Sequence, residues 1–249
     1  MYIILLFILF FLIYYFYILY KYKIFVINLT KRNDRLNFFK EFYSLPIKYN
    51  VFNAVDGNSL KINDLFNKNI INNNILNNIK NNTNRKYHYE INTKGAIGCY
   101  LSHVNLWKYI VNNNIKYAII FEDDCKVSNI SLINIDIRLN ILPDNWNIYL
   151  LNDISSKYDI ELVYNKLYKV KRFFGLVAYI INYNTAKLLI NNTKLFPINQ
   201  HLDSYLSELS LDYNLNIYIH NYKNFSWFNS ITDIHVNENN TLKYDRLQI

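Results

Sequence analysis

From Tyr2 to Tyr20 the chain carries no charged side chain and is built from Ile, Leu, Phe and Tyr. This stretch constrains folding most, because about 20 apolar residues in a helix are what a bilayer requires of a span. A helix apolar on every side has no face to offer water, which makes the core helix of a soluble protein the weaker alternative. A cleavable signal peptide has a shorter apolar core and a small-residue cleavage site, and neither is present. The tyrosines gather towards the C-terminal end, as an interfacial belt would. The expectation is an uncleaved anchor over residues 1–22 and a globular domain over 23–249, a single-pass membrane protein. Lys21 and Lys23 follow the span and favour a cytoplasmic domain, whereas a lumenal arrangement needs the opposite, so the side stays open. Asn-x-Ser/Thr matches at Asn28, Asn81, Asn129, Asn191, Asn224 and Asn239 arise by chance in an Asn-rich chain and say nothing about secretion.

The formal charge of +8 suits an anionic surface or a phosphate-bearing ligand. Nucleic acid is not expected as a partner, because the basic residues are spread along the chain rather than gathered into a stripe interleaved with aromatics. Cys99 and Cys125 lack CxxC spacing and read as small buried residues rather than a disulfide framework or zinc site. The abundance of Asn, Lys, Ile, Tyr and Phe matches AT-rich codons. In such a chain the four glycines, Gly57, Gly95, Gly98 and Gly175, mark places where the backbone needs them.

Ile24 to Leu29 reads as a buried strand, and Arg32 to Leu45 as a helix stopped by Pro46. A strand near Tyr49 to Val55 ends at the turn pair Asp56-Gly57. Residues from about Leu60 to Tyr89 are Asn-rich and weakly periodic, a helical or mobile insertion. Gly95 to Val111 reads as a helix and Tyr117 to Phe121 as a buried strand. Further strands are expected at Trp146 to Leu151, Leu167 to Lys171, Phe173 to Ile181 and Leu215 to Ile219, with helices at Asn184 to Ile190 and Asn199 to Leu209. Alternation of this kind indicates an α/β sheet with crossover helices.

The strand at 117–121 runs straight into Glu122-Asp123-Asp124. Ligands of α/β sheets bind beyond the carboxyl ends of the strands. Residues two apart in an extended segment point the same way, so Glu122 and Asp124 are candidate ligands for a divalent cation shared with a diphosphate. Arg32 and Arg35 lie where the first strand passes into a helix start, a natural phosphate-binding position, although Asp34 there also suits a plain helix N-terminus. Asn53-Ala54-Val55-Asp56-Gly57 ends a strand where Asp56 is placed to accept ribose hydroxyls. Gly95 to His103 opens a helix with two glycines that permit close backbone approach; His103 taken singly reads as a structural histidine.

In order, the segments VINLTKRNDRL, FNAVDG, GAIGCYLSHVNLW, AIIFEDD, FFGLVAYIINYNTAKLLI and PINQHLDSYL resemble glycosyltransferase family 25, over roughly residues 24–235. The family includes lipopolysaccharide-biosynthesis and collagen-type galactosyltransferases. The resemblance implies a GT-A-type fold with a central mixed, mostly parallel sheet. It also implies a UDP-sugar donor, commonly UDP-galactose, with Mn²⁺ or Mg²⁺, and inversion at the anomeric carbon. The acceptor would be a glycan, glycolipid or glycoprotein. Carried over, Asn28, Arg32, Arg35, Asn53, Val55, Asp56, Gly57, Ser102 and Asp123 would surround the donor nucleotide, with Glu122 and Asp124 on the metal.

Two positions depart from the family pattern. Where it often has Pro-hydrophobic-Asp, this chain has Pro197-Ile198-Asn199, and an Asn cannot be a base. An inverting displacement needs a base for the acceptor hydroxyl. Asp203 is the nearest carboxylate and the first candidate, and Asp153 is the second. Gly95-Ala96 stands where the family has Gly-Glu. The alternative to an active enzyme is a relative of the same fold that binds nucleotide sugar or carbohydrate and has lost its base.

Overall fold

The apolar span and the first strand are one continuous piece of chain. In the computed structural model, which describes residues 2–127, 131–151, 158–221 and the backbone of 225–227, helix α1 covers Tyr2–Lys21 and strand β1 begins at the next residue, Tyr22–Asn28. There follow α2 (Asn33–Phe42), β2 (Asn50–Asn53), α3 (Ile62–Asn67), α4 (Asn73–Lys80), α5 (Lys94–Asn112), β3 (Tyr117–Glu122) and β4 (Cys125–Val127). The second half holds α6 (Leu132–Asn140), β5 (Ile148–Leu150), β6 (Asp159–Tyr164), β7 (Leu167–Arg172), β8 (Ala178–Asn182), α7 (Tyr183–Ile190), α8 (Leu202–Asp212), β9 (Ile217–His220) and β10 (Phe225–Trp227).

Eight strands form one sheet in the order β2-β1-β3-β8-β5-β9-β7-β6, and β10 pairs with β4. The α/β class is as expected, and so is the mixed sheet. It is not mostly parallel, however: β1–β2, β1–β3 and β5–β9 are parallel, while β3–β8, β8–β5, β9–β7 and β7–β6 are antiparallel. The reason is local. β8 inserts against β3 in the reverse sense, and the β6–β7 hairpin closes the far edge without a crossover helix.

Both faces of the sheet are covered, which explains why its central strands are apolar without alternation. Phe25, Ile27, Ala118 and Ile120 face one core with α5, α7 and α8. Ile24, Val26, Ile119 and Phe121 face the other, where Phe39 of α2, Leu132, Ile135 and Leu139 of α6 and Ile18 of α1 pack. Trp107, fully buried on α5, donates its indole N–H to Tyr179 Oη at 2.9 Å. A side chain of that size contributes about 1.5–3 kcal/mol by burial.

His220 closes β9 and is buried, with Nδ1 2.9 Å from Tyr149 Oη. Burial, and then the nearby Arg138 charge, hold its pKa down at about 4. An unfolded chain takes up this proton near pH 6.5. Stability from His220 is therefore fully present above about pH 6.5 and is lost as pH falls towards 4, by up to about 3 kcal/mol. Urea midpoints measured from pH 7 to 4 should fall over that window, and His220→Gln should flatten the fall.

Candidate active site

Strands β1, β2 and β3 run parallel, so their carboxyl ends share one edge of the sheet, and Asn28 stands beside Asn53 in register. β3 ends at Glu122, and Asp123 and Asp124 form a tight turn before β4. That turn breaks the alternation of an extended chain. Instead of pointing together, Glu122 and Asp124 take separate partners. Glu122 Oε1 lies 3.2 Å from His103 Nε2, and Cys99 Sγ approaches it at 3.9 Å. Asp124 is paired with Arg35 Nη2.

Arg35, buried on the inner face of α2, also reaches Asp123, with Nε 3.0 Å from Oδ1. The other oxygen of Asp123 accepts from Asn28 Nδ2 at 2.6 Å, and the same amide donates to Arg32 O at 3.1 Å. One asparagine thus ties the end of β1 to the acidic turn and to the start of α2. Burial pushes the Asp123 carboxyl up to about 6, against the opposing Arg35 charge. Burial, then the Glu122 charge, pushes Asp124 up to about 7. Asp124 Oδ1 is buried and meets no hydrogen-bond donor among the described residues. Burial of this kind favours the neutral acid against the opposing Arg35 charge, and a divalent cation beside it would favour the carboxylate.

The opposite wall is built by two glycines. A Cβ on Gly57 would lie 2.4 Å from Lys94 O, and one on Gly98 would lie 2.5 Å from Val55 O. The N-terminal part of α5 therefore rests directly on the 54–57 turn. Ser102 Oγ locks the contact, accepting from Val55 N at 2.8 Å and donating to Gly98 O at 2.6 Å. Gly98→Ala should separate these backbones, lowering stability by about 1–3 kcal/mol. Thermal unfolding checks the loss.

The cleft between the walls is lined by Lys31, Arg35, Val55, Asp56, Gly57, Cys99, Ser102, His103, Glu122 and Asp123, among others. Lys31 was not among the sequence candidates, although it sits in the same loop as Arg32. Its Nζ lies 2.8 Å from Asp56 Oδ2, in an exposed pair worth little that an incoming phosphate would open easily. Lys31 and the Asn58 N–H hold the Asp56 carboxyl below the usual carboxylate range. Arg32 turns to Asp34, 2.9 Å away, and Asn53 is exposed at the end of β2, outside the cleft lining.

Behind Glu122 runs a buried chain of polar groups. Trp107 N–H donates to Tyr179 Oη, and Tyr179 Oη lies 3.0 Å from His103 Nδ1. With the tyrosine oxygen accepting from tryptophan, its own hydrogen is best given to Nδ1, which leaves His103 Nε2–H to donate to Glu122. Cys99, His103 and Glu122 bring ligand atoms within 4.8 Å of one another. In this tautomer, however, His103 orients Glu122 rather than offering a lone pair to a metal.

Asp203 lies in the first turn of α8 and is buried. Its Oδ2 accepts from Gly175 N at 2.7 Å and its Oδ1 from Ser204 N at 2.8 Å, with His88 Nε2 4.0 Å away. Gly175, at φ 79°, adopts the left-handed backbone that glycine tolerates. Burial, then the charges of Glu122, Asp203 and Asp124, push the Cys99 thiol far up. A second cavity of about 360 Å³ opens beside Asp203, lined by His88, Tyr89, Phe174, Asn199, Ser204 and Glu208 with further residues. Asp153 lies outside the described residues.

The sequence profile described as Glycosyltransferase family 25 (LPS biosynthesis protein) matches residues 21–206. Procollagen galactosyltransferase 1-A of Xenopus laevis is 28% identical over 192 residues, 72% of this chain and 30% of that protein. A glycosyltransferase 25 family member of Drosophila melanogaster is 32% identical over 105 residues, 42% of this chain and 16% of the relative. A Bos taurus protein named probable inactive glycosyltransferase 25 family member 3 is 29% identical over 105 residues, again 42% of this chain and 16% of the relative. The matches thus span less than a third of the length of these relatives.

Proposed function

Because the chain belongs to glycosyltransferase family 25, we propose that it moves a hexose, galactose first, from a UDP-sugar to a glycan, glycolipid or glycoprotein, with inversion. The fold is read as GT-A-type, with residues 1–22 as a membrane anchor and 23–249 as the transferase domain. The observation that carries this reading is the acidic turn at the end of β3, faced across a cleft by the glycine-built 54–57 wall.

The residues around the turn fit a divalent cation. Asp124 Oδ1 is buried without a donor, and the carboxylates suit a hard ion such as Mg²⁺ or Mn²⁺. We assign Glu122 and Asp124 to hold it, with Asp123 braced by Asn28 and Arg35. When bound, such an ion neutralises charge on the departing diphosphate. Lys31, opposite, is freed from Asp56 to pair with phosphate, and Asp56 then accepts from ribose hydroxyls. Val55, Gly57 and Ser102 form the wall against which the nucleoside lies. Asp203, whose neighbour Ser204 lines the second cavity, takes the acceptor proton as the sugar transfers.

The test is UDP release from a panel of UDP-sugars by the full chain in detergent, with and without Mn²⁺. Asp124→Ala should abolish the metal-dependent release while the protein stays folded; unchanged release would remove the metal assignment. A second reading, binding without transfer, draws on Asn199 and on the two backbone N–H groups that already occupy Asp203. Retained UDP binding with no turnover on any donor would favour it.

A further inference from the structure

The Asn-rich insertion ends in a turn that supplies part of the second cavity's wall. Glu90 Oε2 accepts from Lys86 N at 2.6 Å and from Tyr87 N at 3.1 Å, which closes the turn on itself. His201 N donates to Tyr89 O at 3.0 Å, and Arg85 Nη1 lies 3.2 Å from His201 Nε2, so the turn is pinned to the start of α8. Tyr89 is thereby held half-buried in the cavity wall, with the Tyr87 ring stacked on its own at 5.4 Å and 15°.

A second aromatic ring, Phe174, lines the same cavity and meets the His88 ring edge to face at 4.7 Å. Its backbone is fixed as well. Tyr158 Oη donates to Phe174 O at 3.0 Å, and Phe173 N donates to Ser207 Oγ of α8 at 3.2 Å. Both aromatic side chains are thus positioned by main-chain bonds before any ligand arrives, which reduces the ordering that binding would otherwise require. An aromatic face offers a large apolar contact to the C–H side of a sugar ring.

The polar lining suits hydroxyls. Asn199, Gln200 and Ser204 carry groups that both donate and accept, as a hydroxyl does. The charged lining residues Arg172, Glu208 and Asp212 are of both signs, and Glu208 is already matched. Lys194 Nζ lies 2.9 Å from its Oε1, and Gln200 Nε2 donates to its Oε2. An anionic ligand would meet Glu208 and Asp212, and a cationic one would meet Arg172, whereas a neutral sugar meets no such opposition. The cavity's volume of about 360 Å³ falls at the small end of the range of about 300–1,000 Å³ for ligand sites. It also borders the proposed base, since lining His88 has Nε2 4.0 Å from Asp203 Oδ2 and lining Ser204 is the next residue.

We propose that this cavity is the acceptor seat, and that the acceptor enters it as an uncharged sugar ring stacked on Tyr89 with a hydroxyl towards Asp203. The proposal rests on the transferase reading above and narrows it. A glycan, glycolipid or glycoprotein ending in a neutral sugar is accepted, and one ending in a sugar acid or sugar phosphate is not.

The test is saturation-transfer NMR on the full chain in a phosphocholine detergent. The probes are methyl glucoside, methyl galactoside and N-acetylglucosamine, set beside glucuronic acid and glucose 6-phosphate. A neutral sugar should bind and the two anions should not. Tyr89→Ala should weaken that binding about tenfold, the loss expected for one aromatic contact, and Tyr89→Phe should keep it. A diazirine derivative of the bound sugar, photolysed with the unaltered protein, should label peptides covering residues 85–90 or 199–212. No neutral sugar bound, preference for an anion, undiminished binding by Tyr89→Ala or labelling confined to other peptides each overturns the seat. UDP release from a UDP-sugar alongside any of these leaves the transferase reading standing. A neutral sugar bound at Tyr89 by a protein that neither binds nor releases UDP keeps the saccharide site and removes the transfer reading.

Discussion

Arg35→Met is expected to lower stability by about 3–5 kcal/mol and to remove donor binding. Removing one partner from a buried ion pair leaves the other charge uncompensated, and that is the cost of this size. Arg35 is nearly inaccessible and serves both Asp123 and Asp124. Met fills similar space without charge, so the loss reports electrostatics rather than a cavity. The loss should also depend on pH. Asp123 and Asp124 already titrate near 6 and 7, so at pH 5 they are largely neutral and need the guanidinium less. Urea unfolding of the full chain in detergent at pH 5 and pH 8 should therefore show the larger penalty at pH 8. Equal penalties at both would mean that Arg35 acts by packing alone.

Asp203→Asn is expected to lower UDP-sugar turnover to acceptor by two to four orders of magnitude, the range a general base contributes. An amide keeps the shape and one acceptor oxygen, so either Gly175 N–H or Ser204 N–H loses its carboxylate partner. Such a loss is worth about 1–3 kcal/mol. The protein should stay folded and bind UDP with unchanged affinity. A fall in kcat with constant UDP affinity marks proton transfer. A fall in UDP affinity as large as the fall in kcat would instead mark Asp203 as the clamp on the Gly175 turn. Turnover that survives the change would move the base to another acid, Asp153 being the next candidate.

Much of this was readable in the sequence, and the failures have physical causes. The buried strands at 24–29 and 117–121 are apolar runs because both faces are covered, and the glycines at 57 and 98 marked a backbone contact that tolerates no Cβ. Helix α6 escaped because Asp136 sits in the middle of its buried face, and its partners lie up to 122 residues away in the chain. Strand β6 escaped because it is an edge whose residues are mostly exposed, so no alternation appears. The expected strand at 173–181 proved to be β8 alone, since Phe173 to Val177 make the turn through Gly175. Glu122 and Asp124 were placed together on the assumption of an extended chain. The turn at Asp123-Asp124 sends one to His103 and the other to Arg35, and a periodicity argument has no means of seeing a turn without Gly or Pro.

The junction at Lys21–Tyr22 has a further consequence. With no stem between α1 and β1, the proposed anchor would hold the acidic turn at a fixed reach, about 20 Å along the seven residues of β1. A transferase on a long stalk samples hydroxyls at many heights, whereas one anchored at this junction would work at a single elevation. Acceptors would then be sorted by how far they rise from the surface before any sugar is recognised, and a spacer of a few residues after Lys21 should reset which of them are used.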